Sequence, residues 1–191
     1  MAEKVVFLIG TLANGGAERV VSNISTNLPD NIDKDIVLFG KNSEAEYDYQ
    51  GNIIYLDKKE LRSLFSKITT LINRIIKIRK LKKKNPNAII ISFLEYPNLI
   101  NVLSGFKNNS IVSVRNFMST KHNKGLNAFF WNFTIRYFYR KVKKVIAVSQ
   151  EVKKDLIVNY NIPQERIKVI YNSYPILRYL LLQSSYLFSL S

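Results

Sequence analysis

Two glycines stand where a short apolar run gives way to a helical pattern. Residues 5–9 are Val, Val, Phe, Leu and Ile, Gly10 follows, and Gly15 and Gly16 open the stretch Gly-Gly-Ala-Glu-Arg-Val. Glycines at a helix start let backbone N–H groups come close to a ligand, and the helix N-terminus adds a partial positive charge that suits phosphate. The pattern is neither G-x-G-x-x-G nor a Walker-type loop backed by Lys and Ser/Thr, so a tight turn without ligand accounts for the same residues. Glu18 and Arg19, a turn deeper, read as an exposed charged pair. Three further polar residues follow apolar runs directly: Glu95 after 88–94, and Arg115 with Asn116 after 111–114. If those runs are parallel strands, the three lie outside the carboxyl edge of the sheet, where open α/β sheets hold ligands. An arginine there can grip phosphate or sugar oxygens with two N–H groups. Solvated loop charges are the alternative for Glu95 and Arg115.

What is missing narrows the chemistry. The chain has no cysteine, which removes disulfides, thiolate nucleophiles and cysteine-based zinc or iron–sulfur sites together. A single histidine, His122, removes any multi-histidine metal site. No resident cofactor is expected.

These residues need a frame to hold them. The 191 residues, 47% of them apolar, suffice for one self-supporting domain. Short β-rich runs at 5–9, 36–39, 53–56, 88–94, 111–114, 145–148 and 167–171 alternate with helical patterns at 17–28, 60–84, 97–103, 126–139 and 150–160. Such alternation predicts an α/β fold, a parallel sheet with helices on both faces. In 60–84, Leu61, Leu64, Phe65, Ile68, Leu71, Ile72, Ile75 and Ile76 make one stripe expected to face the core.

Lys plus Arg number 29 against 14 Asp plus Glu, a formal charge of +15. Such an excess points to a polyanionic partner: nucleic acid, an anionic membrane face or a phosphorylated substrate. Two helical patterns hold much of it. Residues 58–84 carry eleven Lys/Arg and one acid, Glu60, and the aromatic run from 128 onward interleaves with basic residues. Aromatic anchors beside lysines suit an interfacial helix on anionic lipid, here through Trp131, Arg136, Arg140, Lys141, Lys143 and Lys144. A core-facing helix with a solvated outer side is the alternative for both. No RNA-recognition signature, KH loop, zinc finger or helix-turn-helix pattern is visible, so nucleic acid is not expected as a partner. The opening residues lack a signal-peptide pattern and no apolar run is long enough to span a bilayer, which predicts a cytoplasmic protein, peripheral at the inner face of the cytoplasmic membrane.

Three passages, in order, carry a family resemblance: Gly-Gly-Ala-Glu-Arg-Val at 15–20, then 88–98 with 111–116, then 144–172, which ends in Lys-Val-Ile-Tyr-Asn. Over residues 4–173 the sequence resembles the amino-terminal, acceptor-side half of glycosyltransferase family 4, retaining enzymes with the two-domain GT-B fold. The resemblance implies a Rossmann-like domain over 1–173 and transfer of a sugar from a nucleotide-sugar co-substrate to a lipid-linked or saccharide acceptor in surface-polysaccharide synthesis. It assigns Gly15 and Gly16 to the donor diphosphate and puts Glu95, Arg115 and Asn116 at the acceptor or cleft. It also offers His122 as the candidate catalytic residue, although relatives place their histidine several residues earlier. A retaining transfer in which the donor phosphate assists departure needs no strong protein base. In the family a second Rossmann-like domain begins soon after the passage matching Lys-Val-Ile-Tyr-Asn. Residues 174–191 instead turn to a Leu/Ser/Tyr composition without Lys, Asn or acid. A terminal helix docked on the sheet edge fits that tail. The expectation taken from the resemblance is a frameshifted or prematurely ended product, an inactive fragment with half a donor site.

Overall fold

The computed structural model describes residues 4–13, 15–40, 46–57, 64–105, 109–121 and 125–172. Leu61, His122, the tail 174–191 and the side chains of Leu64 and Phe65 lie outside the described residues.

Seven strands form one wholly parallel sheet in the order β3-β2-β1-β4-β5-β6-β7. They are β1 (Lys4–Leu8), β2 (Asp33–Leu38), β3 (Asn52–Tyr55), β4 (Ile89–Phe93), β5 (Ser110–Val114), β6 (Lys144–Ala147) and β7 (Ile167–Val169). The helices are α1 (Gly16–Asn27), α2 (Leu64–Lys84), α3 (Glu95–Leu103), α4 (Met118–Lys121), α5 (Gly125–Phe138) and α6 (Gln150–Tyr160). All seven expected strands are present, because a strand covered on both faces must be a nearly continuous apolar run. β2 begins three residues ahead of the expected strand. Its opening Asp33 and Asp35 are strand residues because Lys4 Nζ, on the neighbouring β1, reaches them at 2.9 and 2.7 Å.

Register divides the side chains between two faces. Phe7 pairs with Ile36 and Ile91, and that face meets Ala17 and Val21 of α1. Val6 and Leu8 point the other way with Val37 and Ile90, against Ile78 of α2 and Ile100 of α3. On this second face, α5 and α6 close the layer through Ile135, Val152 and Leu156. Among the described residues the helices thus cover the two faces unequally, with α1 alone on one side.

Two expectations change. The stripe on α2 does not all face inward: Leu71, Ile75, Ile78 and Leu81 meet the core, while Ile68, Ile72 and Ile76 are exposed. The apolar arc is wider than the sheet can cover. α3 starts at Glu95 instead of Pro97, which sits within the first turn, where its missing N–H is no loss. Residues 97–102 of this helix are all buried.

One basic residue of α2 is internal. Lys82, 3% exposed, donates from Nζ to the carbonyls of Asn101 (2.7 Å) and Gly105 (2.8 Å) and to Ser110 Oγ (2.9 Å). It therefore ties α2 to the end of α3, where Gly105 turns the chain with φ +80°. Burial pushes the Lys82 ammonium down to about 7. The unfolded chain binds this proton more tightly, so the contribution of Lys82 to stability is least favourable below pH 7 and rises as the pH climbs toward the ordinary lysine value. Urea unfolding at pH 6 and pH 9 should show a gain of roughly 1–3 kcal/mol from this group. Lys82→Met should abolish that increment, and an identical pH dependence in the variant would contradict the assignment.

Candidate functional site

Parallel pairing gathers the ends of β1, β4, β5, β6 and β7 on one edge, and β1 and β4 flank the point where the strand order reverses. Beyond β1, α1 starts at Gly16 with Gly15 as its cap. The side chain that would grow from Gly15 is anticipated by Glu18, whose carboxylate folds back over that glycine. Space beside Gly16 is open: a Cβ there would meet nothing within 4 Å. A ligand can therefore reach the α1 N-terminus beside Gly16, with Glu18 standing on its Gly15 side.

Beyond β4, Leu94 has φ 72° and ψ 166°, a region almost restricted to glycine. Its carbonyl accepts the Asn98 N–H at 3.0 Å, so the strained residue also begins the α3 hydrogen-bond ladder. That turn sets Glu95 at the crevice, where Asn116 Nδ2 approaches Glu95 Oε1 at 3.4 Å. Arg115, next to Asn116 beyond β5, donates to Asn172 Oδ1 at 2.6 Å and comes within 3.4 Å of the Gly16 carbonyl. Gly16, Glu95, Arg115 and Asn116 thus occupy one edge although the Arg115–Gly16 pair is 99 residues apart.

Two residues that hold this arrangement escape sequence reasoning. Asn172 reads as a strand end, yet it fixes the Arg115 guanidinium. Asp155 of α6 is buried, and its Oδ2 accepts the backbone N–H groups of Met118 (2.9 Å) and Ser119 (3.3 Å) while Oδ1 accepts from Asn159 (2.7 Å). It caps α4 and so secures the loop carrying Arg115 and Asn116. An acid one residue before Leu156, on the inward side of an amphipathic helix, was the available signal. Tyr160 nearby is pushed up to about 12 by burial first and by the Asp155 charge second. Ser149 does what its position suggests, accepting the Val152 N–H at 3.2 Å as the α6 cap. Among the described residues, no cluster of three or more His, Asp or Glu could hold a metal ion.

The basic residues of the aromatic helix stand at its far end, in and after the last turn of α5. Trp131, expected as a lipid contact, is instead buried at 9% exposure: it shares the inner side of α5 with Ala128 and Ile135. Arg136 donates to the Asn159 carbonyl at 3.0 Å, Lys144 donates to the Glu165 carbonyl at 2.8 Å, and Lys141 sits 3.3 Å from the Tyr137 ring centroid. Arg140 and Lys143 are exposed.

The model of Glycosyltransferase Family 4 matches residues 14–176, a span containing the glycine pair and every strand after β1. The chain belongs to glycosyltransferase family 4. A curated relative, 27% identical over 114 residues, is the Campylobacter jejuni GalNAc-alpha-(1->4)-GalNAc-alpha-(1->3)-diNAcBac-PP-undecaprenol alpha-1,4-N-acetyl-D-galactosaminyltransferase. That alignment takes in 58% of this chain and 32% of the relative. Among solved structures, Anabaena HepE in complex with UDP and glucose superposes with a TM-score of 0.61 at 17% identity, over 90% of this chain and 45% of that one. A glycosyltransferase from Rickettsia africae gives 0.56 at 17% identity, over 95% and 49%. The family 4 chain therefore spans about half the length of those structures and about a third of the curated relative. Its seven-stranded sheet is one Rossmann-like half of a GT-B fold, as the three sequence passages imply.

Asp155→Asn keeps the side chain's size but replaces one carboxylate oxygen by a donor. Stability should fall by about 1–3 kcal/mol in denaturant unfolding. The amides of Met118 and Ser119 should exchange with solvent faster than those of β1. Unchanged exchange at those two amides would show that Asp155 does not hold the loop.

Proposed function

We propose that the carboxyl edge of this family 4 domain is the acceptor-side wall of a cleft in which a sugar passes from a nucleotide donor to a lipid-linked or saccharide acceptor. The observation that carries this reading is the open space beside Gly16 at a helix N-terminus, with Arg115 held at the same edge by the approach of its Nη2 to the Gly16 carbonyl at 3.4 Å. Free backbone N–H groups and a bidentate cation are what a diphosphate needs. HepE, with the same fold, was solved with UDP and glucose, and the name of the Campylobacter relative specifies an undecaprenol-linked acceptor. Surface-polysaccharide synthesis is the setting that such an acceptor supports.

In this reading the α1 N-terminus takes the diphosphate beside Gly16. Glu18, being anionic, keeps it off Gly15. Arg115 exchanges Asn172 for a phosphate oxygen, and Glu95 and Asn116 offer an acceptor and a donor to sugar hydroxyls. In the transfer the bond from the sugar anomeric carbon to the phosphate oxygen breaks, and a bond from that carbon to the acceptor oxygen forms. The acceptor hydroxyl proton leaves with the nucleoside diphosphate. His122 keeps its place as the candidate catalytic residue that the resemblance offers. The solved relatives extend well beyond the span that this chain covers, and in this reading the remaining donor contacts come from such a second half.

A few backbone hydrogen bonds at roughly 1 kcal/mol each leave the affinity of the 191-residue chain for UDP far weaker than micromolar. In an NMR titration, UDP should shift the amides of Gly16 and Ala17. Gly16→Ala should fold unimpaired, since its Cβ meets nothing, yet weaken UDP roughly tenfold by filling the approach. Arg115→Gln should do the same. UDP shifts that ignore both substitutions would overturn the site. Multiple turnovers by the 191-residue chain on a lipid-linked acceptor would overturn the half-site.

A further inference from the structure

We propose that Arg74, near the middle of α2, is a positioning residue for Glu95: its guanidinium clamps the turn at Leu94 that brings Glu95 to the carboxyl edge. The role of Glu95 toward a sugar rests on the reading above, whereas the clamp itself does not.

The turn is pulled two ways. Along β4 the side chains alternate, Ile90 toward the α2 side of the sheet and Ile91 and Phe93 toward the α1 side. Leu94 breaks the alternation and packs with Phe93 on the α1 side, while Tyr96, two residues on, packs on the α2 side. This break coincides with φ 72° and ψ 166° at Leu94. A glycine adopts such a backbone freely, and a leucine keeps it only where its surroundings hold it. Leu94 and Phe93 are the hold on one side. Tyr96 is the hold on the other, and Tyr96 is where Arg74 acts.

Arg74 is itself fixed. Its Nε donates to Asp57 Oδ2 at 2.8 Å, and Nη2 donates to the same oxygen. The guanidinium carbon lies 3.9 Å from the Phe39 ring centroid and 5.6 Å from that of Tyr96, and the two rings meet edge to face with centroids 5.6 Å apart. Phe39 and Asp57 form a shelf beyond the ends of β1, β2 and β3. The Phe39 N–H donates to the Gly10 carbonyl at 3.1 Å, and the Phe39 carbonyl accepts the Asp57 N–H at 2.7 Å. Among the described residues, Arg74 is the one basic residue of α2 paired with a carboxylate. The Arg74 and Asp57 side chains are only 16% and 19% exposed, so water weakens the stack little. A guanidinium offers N–H groups at its edge and a flat face for two rings, which a lysine ammonium does not. Relaxing Leu94 to an ordinary leucine conformation would require lifting Tyr96 from this stack.

The test is amide exchange in the 191-residue chain, read at Asn98, whose N–H bonds to the Leu94 carbonyl at 3.0 Å. Arg74→Gln should speed that exchange roughly tenfold, the loss of one largely desolvated cation–π contact, while Ile78 farther along α2 stays protected. Tyr96→Leu keeps the Arg74–Asp57 pair and should have the same effect. In a Leu94→Gly background, Arg74→Gln should change Asn98 exchange less than about threefold, because glycine holds this turn without a clamp. The side-chain amide of Asn116, 3.4 Å from Glu95 Oε1, should shift in Arg74→Gln and return toward its parent position when Leu94→Gly is added. The sole tryptophan, the buried Trp131, reports whether each variant is folded. Exchange needs no nucleotide, so it decides the clamp even where UDP fails to shift Gly16. Unchanged Asn98 exchange in either single variant, an equal effect in the glycine background, or lost protection at Ile78 as well would each overturn the proposal.

Discussion

Parallel pairing around β1 is the constraint on which the remaining structure rests. With β2 on one side and β4 on the other, β1 is hydrogen-bonded along both edges, and residues 6–9 are wholly buried. Parallel strands demand crossovers that return to the starting edge, so every connection leaves at the carboxyl side. Chain leaving β1 turns toward β2, chain leaving β4 turns toward β5, and the crevice between them is the one place where two connections part. Gly15 and Gly16 border one side of it, and the strained Leu94 with Glu95 borders the other. A backbone outlier of this kind costs on the order of 1–3 kcal/mol and persists only where its surroundings dictate it. Here Phe93 is buried before it and α3 begins directly after it.

The same constraint explains why much of the site was legible in advance. Continuous apolar runs reveal the strands, and a residue directly after a parallel strand stands on the carboxyl edge whatever else the fold does. Glu95, Arg115 and Asn116 are placed by that rule alone. The rule does not reach contacts made by side chains across the fold. Arg115 and Asn172 are 57 residues apart, and Asp155 meets the Met118 N–H across 37. α4, four residues without apolar periodicity, has its N-terminal N–H groups held from outside its own segment.

Burial of individual helix residues was harder to foresee for a related reason. A stripe of apolar residues says that a helix has an inner side, but the width of the sheet and the neighbouring helices decide where that side ends. Ile68, Ile72 and Ile76 belong to the stripe by spacing and fall beyond the covered arc. Trp131 has the composition of a lipid anchor and the position of a core residue. Lys82 stands in a run of basic residues, yet three oxygens, from α3, from Gly105 just after it and from β5, enclose its ammonium. In each case neighbours distant in sequence outweighed local pattern.

The placement of charge shows a division that +15 alone conceals. Helices of a parallel sheet run against the strands, so α2 and α5 begin near the carboxyl edge and finish at the opposite one. α2 is 21 residues long, which puts Lys83 and Lys84 about 30 Å from its start. Charges at that distance are screened within about 8–10 Å at ordinary ionic strength and contribute little at the crevice. In the proposed reading, phosphate at the α1 N-terminus would therefore depend on Arg115 and backbone N–H groups, not on the basic helices. Those helices carry most of their charge in their last turns, at the edge of the sheet opposite the crevice. Their apolar ends, Ile68 and Phe129, lie toward the carboxyl edge.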